Sequence, residues 1–148
     1  MQILDKIFID TNILVYASNR NELIGQTAYK TLSSLRDNRS ELFISAQTLR
    51  EYANAIIRMA IADKKDLRSA ITNVQKNVVE FQNQFNVLLE NKTVISIWQN
   101  MLPQLKSNKQ VYDYYIAATM QAHNINAILT HNVNDFLLFK NLTVIALK

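Results

Sequence analysis

Two rhythms alternate along this chain: short unbroken apolar runs, and longer stretches with apolar residues every three or four positions. The first run, Lys6-Ile7-Phe8-Ile9, closes on Asp10, and an unbroken run of this length suits a strand buried on both faces, as in a parallel sheet. A helix is predicted to begin at Thr11 or Asn12, both good N-caps, and to carry Ile13, Leu14, Tyr16 and Ala17. A second helix over 23–35 ends in the polar turn Arg36-Asp37-Asn38-Arg39-Ser40. Leu42-Phe43-Ile44 reads as a strand, after which Ser45 or Thr48 starts a helix with Leu49, Ala53, Ile56 and Ala60 on one stripe. The stretch 66–85 is a long helix, with Leu67, Ile71, Val74 and Val78 at helical spacing, and Val87-Leu88-Leu89 is a third strand candidate. Helices follow over 93–105, broken near its end by Pro103, and over 111–123. Ala127-Ile128-Leu129-Thr130 and Leu142-Thr143-Val144-Ile145-Ala146-Leu147 are the last strands. Strands alternating with helices predict an α/β sandwich around a central, mainly parallel sheet.

A single Gly and a single Pro leave few places to break regular structure, so the connections should be short. At 148 residues, 49% of them hydrophobic, the chain suits one domain over 1–148 with a real core and is not globally disordered. No repeat, low-complexity segment or linker interrupts it. The absence of Cys excludes disulfide scaffolds, thiolate metal sites and cysteine nucleophiles. No apolar run approaches the roughly 20 residues that span a bilayer, so no membrane partner is expected. The opening MQILDKIFID carries an Asp in its first apolar stretch and does not read as a signal peptide, which makes the cytoplasm the expected location. A net charge of +4 and a pI of about 9.4 are mildly favourable to a polyanionic partner and decide nothing alone.

In open α/β sheets the functional crevice lies beyond the carboxyl ends of the strands. Asp10 ends the first strand; Thr130, followed by His131 and Asn132, ends another, with Asp135 one helical turn on; Ser45 leads into the helix bearing Glu51. Asp113 stands on a helix whose positions three, four and seven further on are Ile116, Ala117 and Met120, an apolar face on which a carboxylate is costly unless paired, hydrogen-bonded or bound to a metal. Each acid also has a plainer reading. Asp10 caps the following helix, Glu51 lies nearly opposite Leu49 on a solvated face, Asp113 is paired with a Lys or Tyr, and Asp135 belongs to a turn. Taken together, several carboxylates converging on one site need a hard cation to neutralise them. Oxygen ligands without Cys, and with only two His, select Mg²⁺ or Mn²⁺ over zinc. Ions of that kind bridge carboxylates and phosphate oxygens and assist phosphodiester hydrolysis.

Four segments, in order, resemble the motifs of PIN domains, in particular the VapC-type toxins of prokaryotic toxin–antitoxin pairs. They are Ile7-Phe8-Ile9-Asp10-Thr11-Asn12-Ile13-Leu14, Ser45-Ala46-Gln47-Thr48-Leu49-Arg50-Glu51, Tyr112-Asp113-Tyr114-Tyr115-Ile116-Ala117-Ala118 and Ile128-Leu129-Thr130-His131-Asn132-Val133-Asn134-Asp135-Phe136. The resemblance covers essentially the whole chain. It implies a three-layer α/β/α sandwich and a metal-dependent endoribonuclease that uses Mg²⁺, with Mn²⁺ the alternative. It further implies an acidic quartet of Asp10, Glu51, Asp113 and Asp135 that both ligates metal and catalyses, supported by Thr11, Asn12, Thr130 and Asn132. Asn132 stands where some members carry the fourth Asp, so Asn132 and Asp135 are both candidates to face the metal. Tyr on both sides of Asp113 departs from the small residues frequent there. The implied partners are RNA as substrate, a second copy in a homodimer and a cognate antitoxin.

Among basic side chains, Arg20, Arg50, Arg58, Lys64 and Lys65 are candidates to guide a phosphate backbone. An aspartyl phosphotransferase of the haloacid-dehalogenase type needs a second Asp two positions after the first, where this chain has Asn12. The remaining alternative is a catalytically inert PIN-like module that binds RNA or protein.

Overall fold

β1 (Lys6–Ile9) is the middle strand of a five-stranded sheet. The computed structural model describes residues 5–148, and the first four residues of the stretch read above as no signal peptide lie outside it. After β1 come α1 (Thr11–Ala17), α2 (Leu23–Asp37), β2 (Glu41–Ser45), α3 (Ala46–Ala62), α4 (Leu67–Gln84) and β3 (Asn86–Leu88). Then follow α5 (Lys92–Met101), a 3₁₀ turn at Leu102–Gln104 that holds Pro103, α6 (Gln110–Ala122), β4 (Ala127–Thr130), the single-turn α7 (Val133–Phe136) and β5 (Thr143–Ala146). The strand order is β3-β2-β1-β4-β5 and every pairing is parallel, with Ile7 opposite both Leu42 and Ala127.

The period-two alternation of a strand sends each sheet residue to one of two apolar layers. Ile7, Ile9, Leu42, Ile44, Ala127 and Leu129 face one side, where Ile13 and Leu14 of α1, Ala28 and Leu32 of α2 and Tyr52 of α3 cover them, with Val78 and Phe81 of α4 alongside. Phe8, Ile128, Phe43, Leu88 and Val144 face the other, under Ile116 and Met120 of α6 and Phe136 of α7. This is the three-layer α/β/α sandwich with its buried parallel sheet. α5 packs on α6, where the Trp98 indole N–H donates to the Val111 carbonyl (3.2 Å) and its ring meets Tyr115 edge-on.

Several boundaries shift by one to four residues from the sequence expectation, and one helix cap differs. α1 is capped by Asp10, not by Thr11 or Asn12, because Asp10 keeps extended backbone angles (φ −70°, ψ 152°) and its carboxylate accepts from the Thr11 N–H. Both of the expected caps are thereby drawn into the helix. α3 is capped by Ser45, in a reciprocal arrangement with Thr48.

Polar groups inside this apolar frame are tied between elements. Tyr52 is fully buried, and its hydroxyl meets Ser18 Oγ just past α1 (2.7 Å) and accepts from the Asn77 side chain on α4 (2.8 Å). The chain's sole glycine, Gly25, lies close against backbone at the end of α1. A Cβ there would stand 1.8 Å from the Asn19 carbonyl oxygen and 2.6 Å from that of Tyr16. Those atoms are backbone and cannot swing aside, so α2 can lie across the end of α1 only with glycine at this position. Gly25→Ala should therefore destabilise the fold by about 1–3 kcal/mol or more, the range for overpacking a filled site, despite alanine's better helix propensity. Urea denaturation checks this, and a stability equal to wild type would show that the α1–α2 contact yields freely.

Candidate active site

The chain runs from β1 outward to β2 and β3, then returns to lay β4 and β5 on the other side of β1. Strand order thus reverses between β1 and β4, and the crevice of an open parallel sheet forms at the carboxyl ends of such a pair. Asp10 stands there. Its N–H donates to the Leu129 carbonyl (3.0 Å), continuing the β1–β4 ladder one residue past the strand. Its side chain is almost fully buried, with Oδ1 accepting from the Thr11 N–H (2.8 Å) and Oδ2 from the Thr130 hydroxyl (2.7 Å) and the Asn12 amide (3.2 Å). Asp10 therefore caps α1 and also lines the cleft. Asn12 Oδ1 accepts from the His131 N–H (3.1 Å) and Thr130 Oγ1 from the Asn132 N–H (3.0 Å), so the loop after β4 is fastened to the start of α1.

Glu51 is half-buried rather than solvated. Its Oε2 accepts from the Thr11 hydroxyl (2.9 Å) and its Oε1 from the Gln47 amide (2.5 Å). A helical wheel referenced to the Leu49 stripe puts Glu51 on the opposite, outer face. α3 in fact packs against α1 as well as the sheet, and that second contact turns the Glu51 flank inward. Asp113, in the first turn of α6, is half-buried as its apolar neighbours foretell. Among the described residues it has no hydrogen bond or ion pair, so the Lys or Tyr partner of its plainer reading is not there.

The four acids act on one another. Asp113 is pushed up to about 7, first by burial and then by the charges of Asp135, Asp10 and Glu51. Asp10 is also raised, with burial the largest cause. The bonds from Thr130 and Thr11 oppose the rise, and the charges of Glu51 and Asp135 add to it. Asp135 itself is exposed on α7; its charge reaches Asp10 and Asp113, but its side chain does not line the cleft, whereas Asn132 does.

The cleft, of about 550 Å³, holds Asp10, Glu51 and Asp113 on its walls. Of the basic side chains picked from the sequence, only Arg58 lines it. Arg50 pairs with Glu90 on the surface (2.5 Å), Arg20 lies over the Tyr29 ring (4.6 Å), and Lys64 and Lys65 are exposed away from it. Sequence reasoning missed Asn54 and Glu22. Asn54 and Arg58 fall three and seven positions after Glu51, on its own helix face, so the inward turn of Glu51 would have revealed them. Glu22 reaches the cleft only through the α1–α2 turn, for which no spacing rule gives a signal.

Arg50–Glu90 is the one ion pair among the described residues, so none of the cleft's carboxylates is in a contact ion pair. Charge and all-oxygen donors fit a hard divalent ion. Among the described residues no three Asp, Glu or His side chains form a ready-made cage.

A family model described as the PIN domain matches residues 7–139. No curated protein matches the chain. Among solved structures, a chain of VapBC2 from Rickettsia felis, bound to a DNA fragment from its promoter, is 19% identical over 97% of this chain and 99% of that one, with a TM-score of 0.70. A chain of FitAcB from Neisseria gonorrhoeae is 21% identical over 93% and 95%, with a TM-score of 0.66. VapC20 from Mycobacterium tuberculosis, described as a toxin cleaving the sarcin–ricin loop, is 15% identical over 82% and 86%, with a TM-score of 0.61. At these identities the likeness is one of fold.

The raised carboxyls make stability fall with pH. Asp113 binds a proton more tightly folded (about 7) than unfolded (3.8), so its contribution is full below pH 3.8 and is lost as pH rises through 7. Without divalent ions, the thermal midpoint should drop between pH 5 and 8. Asp113→Asn should flatten that drop and melt a few degrees above wild type at pH 8. Parallel pH profiles for the two proteins would contradict the cluster's repulsion.

Proposed function

The chain belongs to the PIN-domain family, and from that premise we propose that it is a metal-dependent endoribonuclease hydrolysing RNA phosphodiester bonds, with residues 1–148 acting as one nuclease domain. The observation that carries the reading is Asp113: a half-buried carboxyl in the cleft wall, bonded to nothing among the described residues and pushed up to about 7, first by burial and then by the charges of Asp135, Asp10 and Glu51. A cluster so costly to the fold has its natural use in holding a cation. The likeness to a sarcin–ricin-loop-cleaving toxin supports RNA as the polymer cut.

In this reading Asp10 and Asp113 bind the ion directly, with Glu51 and Asp135 completing its surroundings directly or through water. Thr11 holds Glu51, Asn12 and Thr130 hold Asp10, and Asn132 presents its amide at the cleft wall. When bound, Mg²⁺, or Mn²⁺ in its place, supplies charge compensation, polarises a phosphate oxygen and lowers the pKa of a water. Asp10 enters that arrangement already oriented, since Thr130 and Asn12 occupy its Oδ2 from the protein side. Arg58, on the same helix face as Glu51, offers its guanidinium to the phosphate backbone of the substrate.

The full-length likeness to chains of VapBC complexes supports a role as the toxin of a toxin–antitoxin pair, with an antitoxin protein as partner. The same reading includes a homodimer and action in the cytoplasm. No helix of the described residues is long and apolar enough to cross a membrane.

The test is cleavage of a labelled structured RNA with Mg²⁺, Mn²⁺ or EDTA. Wild type should cut with either metal and not with EDTA. Asp10→Asn and Asp113→Asn should lose more than about 100-fold, beyond what outer partners of metal ligands usually account for. An Asp113→Asn protein that cuts like wild type would overturn the assignment. Failure of wild type both to cut and to bind metal by calorimetry would leave an inert RNA- or protein-binding module.

A further inference from the structure

Gln47 sits on α3 one turn before Glu51, with its side chain almost wholly buried. A buried amide is costly unless its bonds are made, and a position facing this core would more cheaply hold Leu or Met. Its one hydrogen bond to another side chain is the 2.5 Å donation from Nε2 to Glu51 Oε1. The other oxygen of Glu51 accepts from Thr11. A glutamate has three rotatable bonds and, untethered, would sample solvent at its own cost in entropy on each return. Here each oxygen is held by one donor, and both donors are uncharged. That detail matters, because a Lys or Arg in place of Gln47 would hold Glu51 equally well but cancel the negative charge the cleft presents. An amide restrains the carboxylate and leaves the charge whole.

We propose that Gln47 is a positioning residue that acts through Glu51, setting how tightly the cleft holds a divalent cation and how fast it cuts, without touching RNA. The proposal rests on the nuclease reading above. It gives Gln47 a role that neither periodicity nor charge suggests, and it accounts for a buried polar side chain that the core does not need.

Gln47→Met keeps the volume and apolar fit of the site and removes only the donor. Mn²⁺ binding is measured by calorimetry, and kcat and KM on a labelled RNA by cleavage kinetics, for wild type, Gln47→Met, Glu51→Gln and the double variant. Gln47→Met should melt within a few degrees of wild type, keep KM, and lose roughly 10- to 100-fold in Mn²⁺ affinity and kcat, the usual cost of removing a ligand's hydrogen-bond partner. Added to Glu51→Gln, whose amide oxygen still accepts from Gln47 but no longer carries the charge to be positioned, it should cost nothing more. A folded Gln47→Met with wild-type Mn²⁺ affinity and kcat overturns the proposal, as does a double variant in which the two losses multiply. If Gln47→Met does not fold, Gln47→Asn, which withdraws the amide by one methylene, carries the same two outcomes. Wild-type protein that neither binds Mn²⁺ nor cuts overturns the nuclease reading itself, and that result is read without any variant.

Discussion

The cleft depends on one buried carboxylate being shared between two elements. Asp10 closes the N-terminus of α1 with one oxygen and takes the Thr130 hydroxyl and the Asn12 amide with the other, while its own N–H extends the β1–β4 ladder. Helix start, strand end and cleft wall are therefore fixed by the same side chain. The further bonds radiate from it. Thr11, placed first in the helix by that cap, reaches Glu51 on α3, and Asn12, placed second, reaches the backbone of His131 beyond β4. A helix begun one residue later would lose both.

The electrostatics of the cleft work against the fold that builds it. Burial and mutual repulsion raise Asp10 and Asp113, and no ion pair among the described residues offsets them. What holds the acids together is the apolar frame: two layers of Ile, Leu and Phe on either face of a fully parallel sheet, with Tyr52 and Gly25 fixing how α1 meets its neighbouring helices. Ion pairing contributes little, since the one ion pair among the described residues is an exposed Arg–Glu contact of the sort that adds at most about 1 kcal/mol. The arrangement is the familiar trade in which a site stores unfavourable charge and the core supplies the stability.

Much of this was legible in the sequence where burial is two-sided. β1 and β4 declare themselves because a strand covered on both faces has no polar alternation, and Asp113 declares itself because it interrupts an apolar helix face. A wheel referenced to Leu49 puts Glu51 outside because it assumes one contact surface, whereas α3 packs on α1, α4 and β2. The choice between Asn132 and Asp135 could not be read at all, since the geometry of the turn after β4 rests on a bond from the Asn132 N–H to Thr130, and spacing does not reveal which side chain such a turn aims inward. Arg50 was picked for its charge, and charge alone does not tell a cleft wall from a surface pair.

The bond between Asp10 and Thr130 spans 120 positions. Local contacts such as the α1–α2 packing can form as soon as their residues exist, but β1 finds its second neighbour only when β4 is available, and loops of that length close late and slowly. During synthesis, then, a chain that has not reached Ala127 already contains Asp10, Glu51 and Asp113, yet lacks the strand and hydroxyl that hold the first of them in place. The cleft comes into being as a late event of assembly. Whatever the finished protein does to its surroundings, its unfinished forms on the ribosome do not have the means to do.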